Sequence, residues 1–253
     1  MSLDELIERF RRGDRAALSR LLTFAAQGDR TDKIRAALDT GGDSASSTPT
    51  THHSPRTIAV TGSGGVGKST LVGKLIELLR GRNEPVAVLA CDPQSSLTGG
   101  ALLGDRIRMP TRPDDSGVFI RSLATPSGHS GVAPHLDVMV RLLRAFGFRN
   151  VLIETVGAGQ GDTAVRDVAD IVAVLVQPET GDDLQWEKAG QLEIADVVVV
   201  HKADLPGADR VESQLRELLN LPGCRTVPVV RVSSSKSEGL VELWRAIESV
   251  PTG

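Results

Sequence analysis

Short apolar runs that alternate with helical segments are the feature that most restricts how this chain can fold. Continuous Val/Ile/Leu runs recur from Arg56 onward, and most are separated by segments with helical periodicity. The pattern predicts the α/β class, with a mostly parallel sheet covered by helices on both faces. The predicted strands are 57–60, 86–90, 118–120, 151–153, 171–176, 197–200 and 227–232, and the predicted helices between or after them are 68–80, 134–146, 209–219 and 239–249.

A glycine-rich run, here called the phosphate loop (residues 61–70), directly follows the first predicted strand. Gly62 and Gly67 stand five apart and are followed by Lys68 and Ser69. This spacing is typical of loops whose backbone N–H groups point at phosphate oxygens, because glycines have no Cβ in the way. Lys68 is expected to reach the β- and γ-phosphates, and Ser69 to offer its hydroxyl to Mg²⁺. The predicted nucleotide-binding residues of the loop are Gly64, Gly65, Val66, Gly67, Lys68, Ser69 and Thr70.

The composition divides the 253 residues into three parts. Residues 1–40 carry apolar side chains at helical spacing and predict an N-terminal helical arm. Residues 41–55 are rich in Ser, Thr and Gly and predict a flexible linker, because they offer little to pack. Residues 56–253 hold the alternating pattern and the phosphate loop and predict one domain, which the guanine-binding element described below makes a phosphate-loop GTPase domain.

Carboxylates follow two of the predicted strands, at the edge where ligands bind in such sheets. Asp92 and Asp105 come after the second strand, and Glu154 ends the strand 151–153. With Ser69 they are the predicted Mg²⁺ ligands, directly or through water, because this cation prefers oxygen donors. The sequence Glu154-Thr-Val-Gly157 also places a glycine N–H where it can meet a γ-phosphate. We therefore expect Lys68, Asp105, Glu154 and Gly157 to carry the catalysis.

Hydrolysis by this site alone is expected to be slow. In Ras-like switches a glutamine directly after the glycine orients the attacking water. Here Ala158 follows Gly157, and the nearest glutamine is Gln160. Either a partner completes the site or another group, such as Asp105, positions the water.

The sequence His201-Lys-Ala-Asp204 follows another apolar strand and is close to the Asn-Lys-x-Asp element of guanine-binding proteins. The Asp204 carboxylate can accept from guanine N1–H and from the 2-amino group together, whereas adenine does not offer that pair of donors. Lys202 is expected to lie along the base, and Ser233 and Ser234 to offer backbone N–H groups to guanine O6. His201 stands in place of the usual asparagine, which leaves the strength of the preference for guanine over adenine open.

Charge and composition exclude several classes of partner. The formal net charge of -3 gives no sign of nucleic-acid or membrane-surface binding. No apolar stretch approaches the roughly 20 residues of a membrane span, and no signal peptide is evident, so we expect a cytoplasmic protein. Two cysteines and five histidines without metal-ligand spacing encode no local Cys-based metal site.

Further motifs follow the phosphate loop in a characteristic order. They are Asp92-Pro-x-Ser-Ser, Thr98-Gly-Gly, Leu103-Gly-Asp105, Glu154-Thr-Val-Gly-Ala-Gly-Gln160, Gly181-Asp-Asp-Leu-Gln185 and Leu243-Trp-Arg-Ala-Ile247. Together with the phosphate loop, these motifs make the chain resemble the MeaB/ArgK/MMAA GTPases, which are chaperones of adenosylcobalamin-dependent acyl-CoA mutases. The resemblance runs from the helical arm to about Val250.

The resemblance implies a GTPase that uses GTP, GDP and Mg²⁺ and binds methylmalonyl-CoA mutase or a sister enzyme. It implies gating of adenosylcobalamin delivery, removal of damaged cobalamin, and faster hydrolysis when the mutase is bound; an adenosyltransferase is a further candidate partner. Residues 177–188 correspond to a mobile switch, although a loop leading into an exposed helix remains the alternative. The implied switch or partner residues are Gln160, Asp182, Gln185, Trp186 and Lys188.

Two departures from the family pattern shape the remaining expectations. The sequence stops at Gly253, whereas typical members continue into a helical dimerisation arm, so we expect a monomer or a dimer formed in another way. His201 and the Gln177-Pro-Glu179 variant suggest a divergent branch. The client is therefore open among methylmalonyl-CoA, isobutyryl-CoA and hydroxyisobutyryl-CoA mutases.

Two other functions remain open from the sequence. A metallochaperone GTPase for nickel enzymes would share the fold and phosphate loop, although such proteins usually carry metal-binding Cys or His clusters. An ATP-dependent small-molecule kinase also remains open, because His201 replaces the usual asparagine. Asp204 argues against it, because its carboxylate suits guanine. Nickel dependence would favour the first, and equal affinity for GDP and ADP the second.

Overall fold

The computed structural model describes residues 1–40, 55–93, 115–125, 131–157, 164–178, 192–221 and 225–251. Three helices precede the first strand, and strands then alternate with helices through most of the chain. The strands are β1 (Arg56–Gly62), β2 (Val86–Pro93), β3 (Val118–Thr125), β4 (Asn150–Glu154), β5 (Ile171–Val176), β6 (Val197–His201) and β7 (Val229–Val232). The helices are α1 (Leu3–Arg11), α2 (Arg15–Ala26), α3 (Thr31–Thr40), α4 (Lys68–Gly81), α5 (Leu136–Phe146), α6 (Ala208–Leu219) and α7 (Leu240–Ser249).

One seven-stranded sheet organises the molecule, in the order β3-β2-β4-β1-β5-β6-β7. Every strand pair is parallel, which confirms the predicted α/β fold. The central strands β1, β4, β5 and β6 are buried along their whole length, as expected for apolar strands covered on both faces. β1 lies in the middle, between β4 and β5, so the phosphate loop leaves the centre of the sheet.

Helices cover the two faces of the sheet with separate apolar clusters. On one face, α4 and α7 pack over the strands, and Trp244 of α7 is among the largest fully buried side chains. On the other face, apolar side chains of α5, α6 and the three N-terminal helices form one cluster. No helix in the described ranges is long and apolar enough to cross a membrane.

The N-terminal helices α1–α3 dock on the sheet through α5 and the edge strand β3. Arg15 donates to the carbonyl oxygens of Ser116 and Val118, the latter at 2.6 Å. Its guanidinium lies 5.5 Å from the ring centre of Phe119, a distance typical of a cation–π contact. The arm therefore shares buried surface with the rest of the chain. The division at residues 40 and 56 stays a prediction, and the linker lies outside the described residues except for Pro55.

Candidate nucleotide-binding site

The phosphate loop connects β1 to α4 in a tightly packed turn. Gly67 has a φ of 100°, in the left-handed region, and a Cβ on it would lie 2.5 Å from Cε1 of His201. Only glycine fits this position, because both the backbone angle and the close imidazole exclude a side chain. The loop thus delivers the N-terminus of α4, with its positive dipole end, to the carboxyl edge of the sheet.

Lys68 is the first residue of α4 and is 7% exposed. Its Nζ donates to the carbonyl oxygens of Gly62 at 2.9 Å and Ser63 at 3.1 Å. The ammonium group therefore sits inside the curve of the loop that the sequence assigns to phosphates. Its predicted contact with the β- and γ-phosphates stays a prediction.

Ser69 and Glu154 meet where α4 faces the end of β4. The Ser69 hydroxyl donates to Oε1 of Glu154 at 2.6 Å, and Glu154 is 3% exposed. Asp92, 4% exposed, is the second-last residue of the neighbouring strand β2, whose Ala90 pairs with Glu154. The register therefore places two buried carboxylates near adjacent strand ends, and the one on Glu154 contacts a phosphate-loop hydroxyl. Asp105, the third predicted metal ligand, lies outside the described residues.

These oxygen donors fit Mg²⁺ better than a transition metal. No group of three His, Cys, Asp or Glu side chains within the described ranges could hold a metal ion. Mg²⁺ does not need such a cage, because it is usually held by one or two protein oxygens, phosphates and waters. Burial raises the pKa of the neighbouring Cys91 thiol to about 12, so this group is not a ready thiolate ligand.

Gly157 lies against the phosphate loop, three residues after Glu154. Its φ is 85°, and a Cβ there would lie 2.8 Å from the Gly62 carbonyl oxygen and would also contact Lys68 Nζ. Any other residue would push the loop aside. The structure thus brings Lys68, Glu154 and Gly157 together, as the sequence analysis expects of catalytic neighbours. Their roles toward a nucleotide stay predictions.

His201 ends β6 and is 3% exposed. Its Nδ1 lies 2.7 Å from the carbonyl oxygen of Val66, and its Nε2 lies 2.7 Å from Ser234 Oγ. Since a carbonyl oxygen only accepts, Nδ1 carries the proton and donates to Val66. Burial lowers the pKa of His201, so the neutral ring accepts from Ser234 at Nε2. One imidazole therefore joins the phosphate loop to the segment after β7.

Asp204 is held by two serine hydroxyls that follow β7. Ser233 Oγ donates to Oδ1 at 2.6 Å, and Ser235 Oγ donates to Oδ2 at 3.2 Å. The Ser233 hydrogen bond lowers the pKa of Asp204, which keeps the carboxylate ionised as an acceptor. Lys202, with a left-handed φ of 55°, lies half-buried in the turn between His201 and Asp204.

Ser233 acts differently from the sequence expectation. Its backbone N–H donates to the Glu238 carbonyl oxygen at 3.0 Å, so this N–H is not directed at a base. The side chains of Ser233 and Ser235 contact Asp204 instead, and Ser235 is not among the residues predicted from the sequence. Three consecutive serines after an apolar strand were the available signal.

Apart from Asp105, the residues predicted for phosphate, metal and base lie along one edge of the sheet, at or just after the ends of β1, β2, β4, β6 and β7. The predicted switch and partner residues lie outside the described ranges. They are Gln160, Asp182, Gln185, Trp186 and Lys188.

Comparisons with known proteins agree with this fold. A putative GTPase of Pyrococcus abyssi is 40% identical over 254 residues, which cover 97% of this chain and 75% of that relative. The fused isobutyryl-CoA mutase of Nocardia farcinica is 39% identical over 217 residues, which are 82% of this chain and 19% of the fused protein. A crystal structure titled LAO/AO transport system kinase aligns with a TM-score of 0.67 at 27% identity, covering 97% of this chain and 73% of that one.

A family model described as methylmalonyl Co-A mutase-associated GTPase MeaB matches residues 46–252, which contain the entire sheet. The match includes the phosphate loop, the carboxylates at the ends of β2 and β4, and the base-side residues after β6. This chain therefore belongs to the MeaB family of methylmalonyl-CoA mutase-associated GTPases.

Proposed function

We propose that this chain is a GTP-hydrolysing chaperone of an adenosylcobalamin-dependent acyl-CoA mutase in the cytoplasm, gating cofactor loading and the removal of damaged cobalamin. The observation that carries the proposal is the Nocardia farcinica relative, a fused isobutyryl-CoA mutase similar to 82% of this chain. Fusion keeps two modules at high effective concentration, which favours segments that act on one another. We infer the same pairing here and rank isobutyryl-CoA mutase first among the open clients.

The phosphate side of the proposed reaction uses the residues around α4. Lys68 moves its ammonium from the Gly62 and Ser63 carbonyls to the β- and γ-phosphate oxygens, and the N–H groups of the phosphate loop hold the remaining charge. Ser69, Asp92, Asp105 and Glu154 would hold Mg²⁺, directly or through water. Bound there, Mg²⁺ would neutralise charge that develops on the phosphates during transfer.

The base side explains the proposed selection of GTP. Asp204 already stands with each oxygen accepting one serine hydroxyl. A carboxylate oxygen has a second lone pair, so the same group can also accept from guanine N1–H and the 2-amino group. ATP leaves these acceptors unmatched and binds less well.

The proposed signal to the mutase depends on the triphosphate. Gly157 sits against the phosphate loop beside Lys68, where its N–H can contact a γ-phosphate and lose that contact after hydrolysis. Since Ala158 replaces the usual glutamine, we infer that the free enzyme turns over slowly and that the bound mutase completes the water site.

The decisive experiment measures GTP turnover with and without purified candidate mutases. We expect at least about a tenfold rise in turnover with isobutyryl-CoA mutase or one of its two sisters, because a missing water-positioning group is supplied by the complex. The Lys68→Ala variant is the control, since it should show no turnover with or without the mutase.

A separate arm follows cobalamin. We expect GTP, but not GDP, to permit transfer of adenosylcobalamin from an adenosyltransferase into the mutase complex, monitored by absorbance. If no mutase binds or stimulates, and nickel instead raises turnover and drives dimerisation, the proposal fails in favour of nickel-enzyme maturation.

A further inference from the structure

β1 and β4, which lead to the phosphate loop and to Gly157, end at different positions along the sheet. β4 pairs with β1 only as far as Val60 and Glu154. β1 continues for two more residues along β5, to the pair formed by Gly62 and Leu175. The backbone after Glu154 therefore leaves the sheet while β1 is still in it.

Two buried threonines, Thr155 and Thr61, contact each other where the two strands separate. Thr155 N–H donates to the Val60 carbonyl oxygen at 3.2 Å, the last backbone bond between the two segments. One step further, the Thr155 hydroxyl donates to Thr61 Oγ1 at 3.0 Å. Both side chains are 1% exposed or less, so water cannot readily replace this contact.

The threonine pair stands between the phosphate loop and Gly157. Thr61 opens the loop, and Thr155 is two residues before Gly157, which already touches Gly62 and Lys68 closely enough to exclude a Cβ. Val156 lies between Thr155 and Gly157 and is held by a different segment. Its N–H donates to the Gly131 carbonyl oxygen at 3.1 Å. The hydroxyl pair is thus a buried side-chain contact between the end of β1 and the segment that leads to Gly157.

We propose that Thr155 and Thr61 are positioning residues that hold the Gly157 N–H at the γ-phosphate, so that their hydroxyl pair sets the discrimination of GTP from GDP. The inference rests on the chain binding guanine nucleotides and is independent of which mutase it serves. GDP lacks the γ-phosphate that the Gly157 N–H is proposed to contact, so we expect its affinity not to depend on the pair.

The test compares the affinities of Thr155→Val and Thr61→Val for a non-hydrolysable GTP analogue and for GDP. Valine keeps the branched shape and removes only the hydroxyl. We expect affinity for the GTP analogue to fall about three- to tenfold, the scale of one lost neutral hydrogen bond. GDP affinity should stay within about twofold. The Thr155→Ser variant, which retains the hydroxyl, should restore discrimination.

Thr57 provides a matched control on the same strand. It is fully buried in β1, and its hydroxyl has no hydrogen-bond partner among the described residues. Thr57→Val should leave both affinities unchanged. The double variant Thr61→Val/Thr155→Val should lose less affinity for the GTP analogue than the sum of the two single losses, because both variants remove the shared bond.

Several results would overturn the proposal. Equal weakening of GDP and the GTP analogue would make the pair a purely structural contact, as would additive losses in the double variant. Unchanged discrimination in both single variants would exclude any role. None of these depends on the mutase, so a failure here is distinct from a failure of wild-type protein to respond to a mutase.

Discussion

His201, which stands in place of the usual asparagine, connects two parts of the site through an ionisable side chain. Its ring joins Val66 of the phosphate loop to Ser234 after β7, two segments far apart in the chain. Because Gly67 leaves room for the ring, a bulkier side chain than asparagine fits. Unlike an amide, an imidazole titrates near neutral pH.

Stability should therefore depend on pH through His201. Burial lowers its folded pKa below 6.5; the charge of Lys202 lowers it further, and that of Asp204 opposes the shift. Well above pH 6.5 both the folded and the unfolded His201 are neutral, whereas near pH 6.5 the unfolded imidazole is already partly protonated. As the pH falls below that value, the unfolded chain takes up a proton first, so the free energy of unfolding decreases until the folded pKa is passed.

Denaturant unfolding between about pH 7.5 and about pH 5.5 measures this effect. We expect a steeper loss of stability in the wild type than in His201→Asn. His135→Asn is the control, because His135 is exposed and its left-handed backbone tolerates asparagine. Equal pH slopes in wild type and His201→Asn would contradict the prediction.

Base selection should depend on the charge of Asp204. In Asp204→Asn, the amide can donate to the 2-oxo group of xanthine, and guanine loses its paired acceptors. We expect the ratio of GTP to XTP affinity to fall by at least about 100-fold, measured by competition binding. Asp32→Asn, with a side chain 99% exposed, should not change the ratio. An unchanged ratio in Asp204→Asn would show that the base binds elsewhere.

At the scale of elements, the N-terminal arm depends on tertiary contacts. Its three helices are visible in the sequence as apolar periodicity, but their docking relies on α5 and β3. Arg121 of β3, for example, donates to Thr23 of α2 at 2.9 Å. Helical spacing identifies the apolar face of such an arm, and it contains no information about which surface that face covers.

If the arm belongs to the same folding unit, a cavity in it should weaken the whole molecule. Leu18 of α2 is fully buried, so Leu18→Ala should lower the free energy of unfolding by about 2–5 kcal/mol in one cooperative transition. Leu218→Ala, at a position 40% exposed, should change it by about 0.5 kcal/mol or less. Circular dichroism with a separate early transition for the arm would contradict this expectation.

The predicted strand positions were close because burial on both faces leaves a strong local signal. The prediction 171–176 coincides with β5, and 151–153 lies inside β4, which adds Asn150 and Glu154 at its ends. The prediction 227–232 began two residues before β7, where Pro228 has no N–H to donate to a ladder. Apolar composition locates strands, whereas their ends depend on pairing with neighbours.

At the scale of the whole molecule, nucleotide binding should raise the stability of the fold. A ligand at 100 times its Kd adds about 2.7 kcal/mol. We expect Mg²⁺-GDP to raise the Tm of the wild type and to leave that of Lys68→Ala nearly unchanged. Lys74→Ala is the control, because Lys74 lies on the same helix and pairs with Glu77 instead of the loop. A normal shift in Lys68→Ala would show that Lys68 does not bind the phosphates.

The sequence alone determined the α/β class, the phosphate loop and the strand ends at which its partners stand, because these depend on local spacing and on burial. Tertiary structure decided the order of the strands and therefore which strand ends meet. It placed Glu154 on Ser69, His201 between Val66 and Ser234, and Thr155 on Thr61. Such contacts join segments far apart in the chain, and the geometry of the sheet, not the residues near each one, brings them within hydrogen-bond distance.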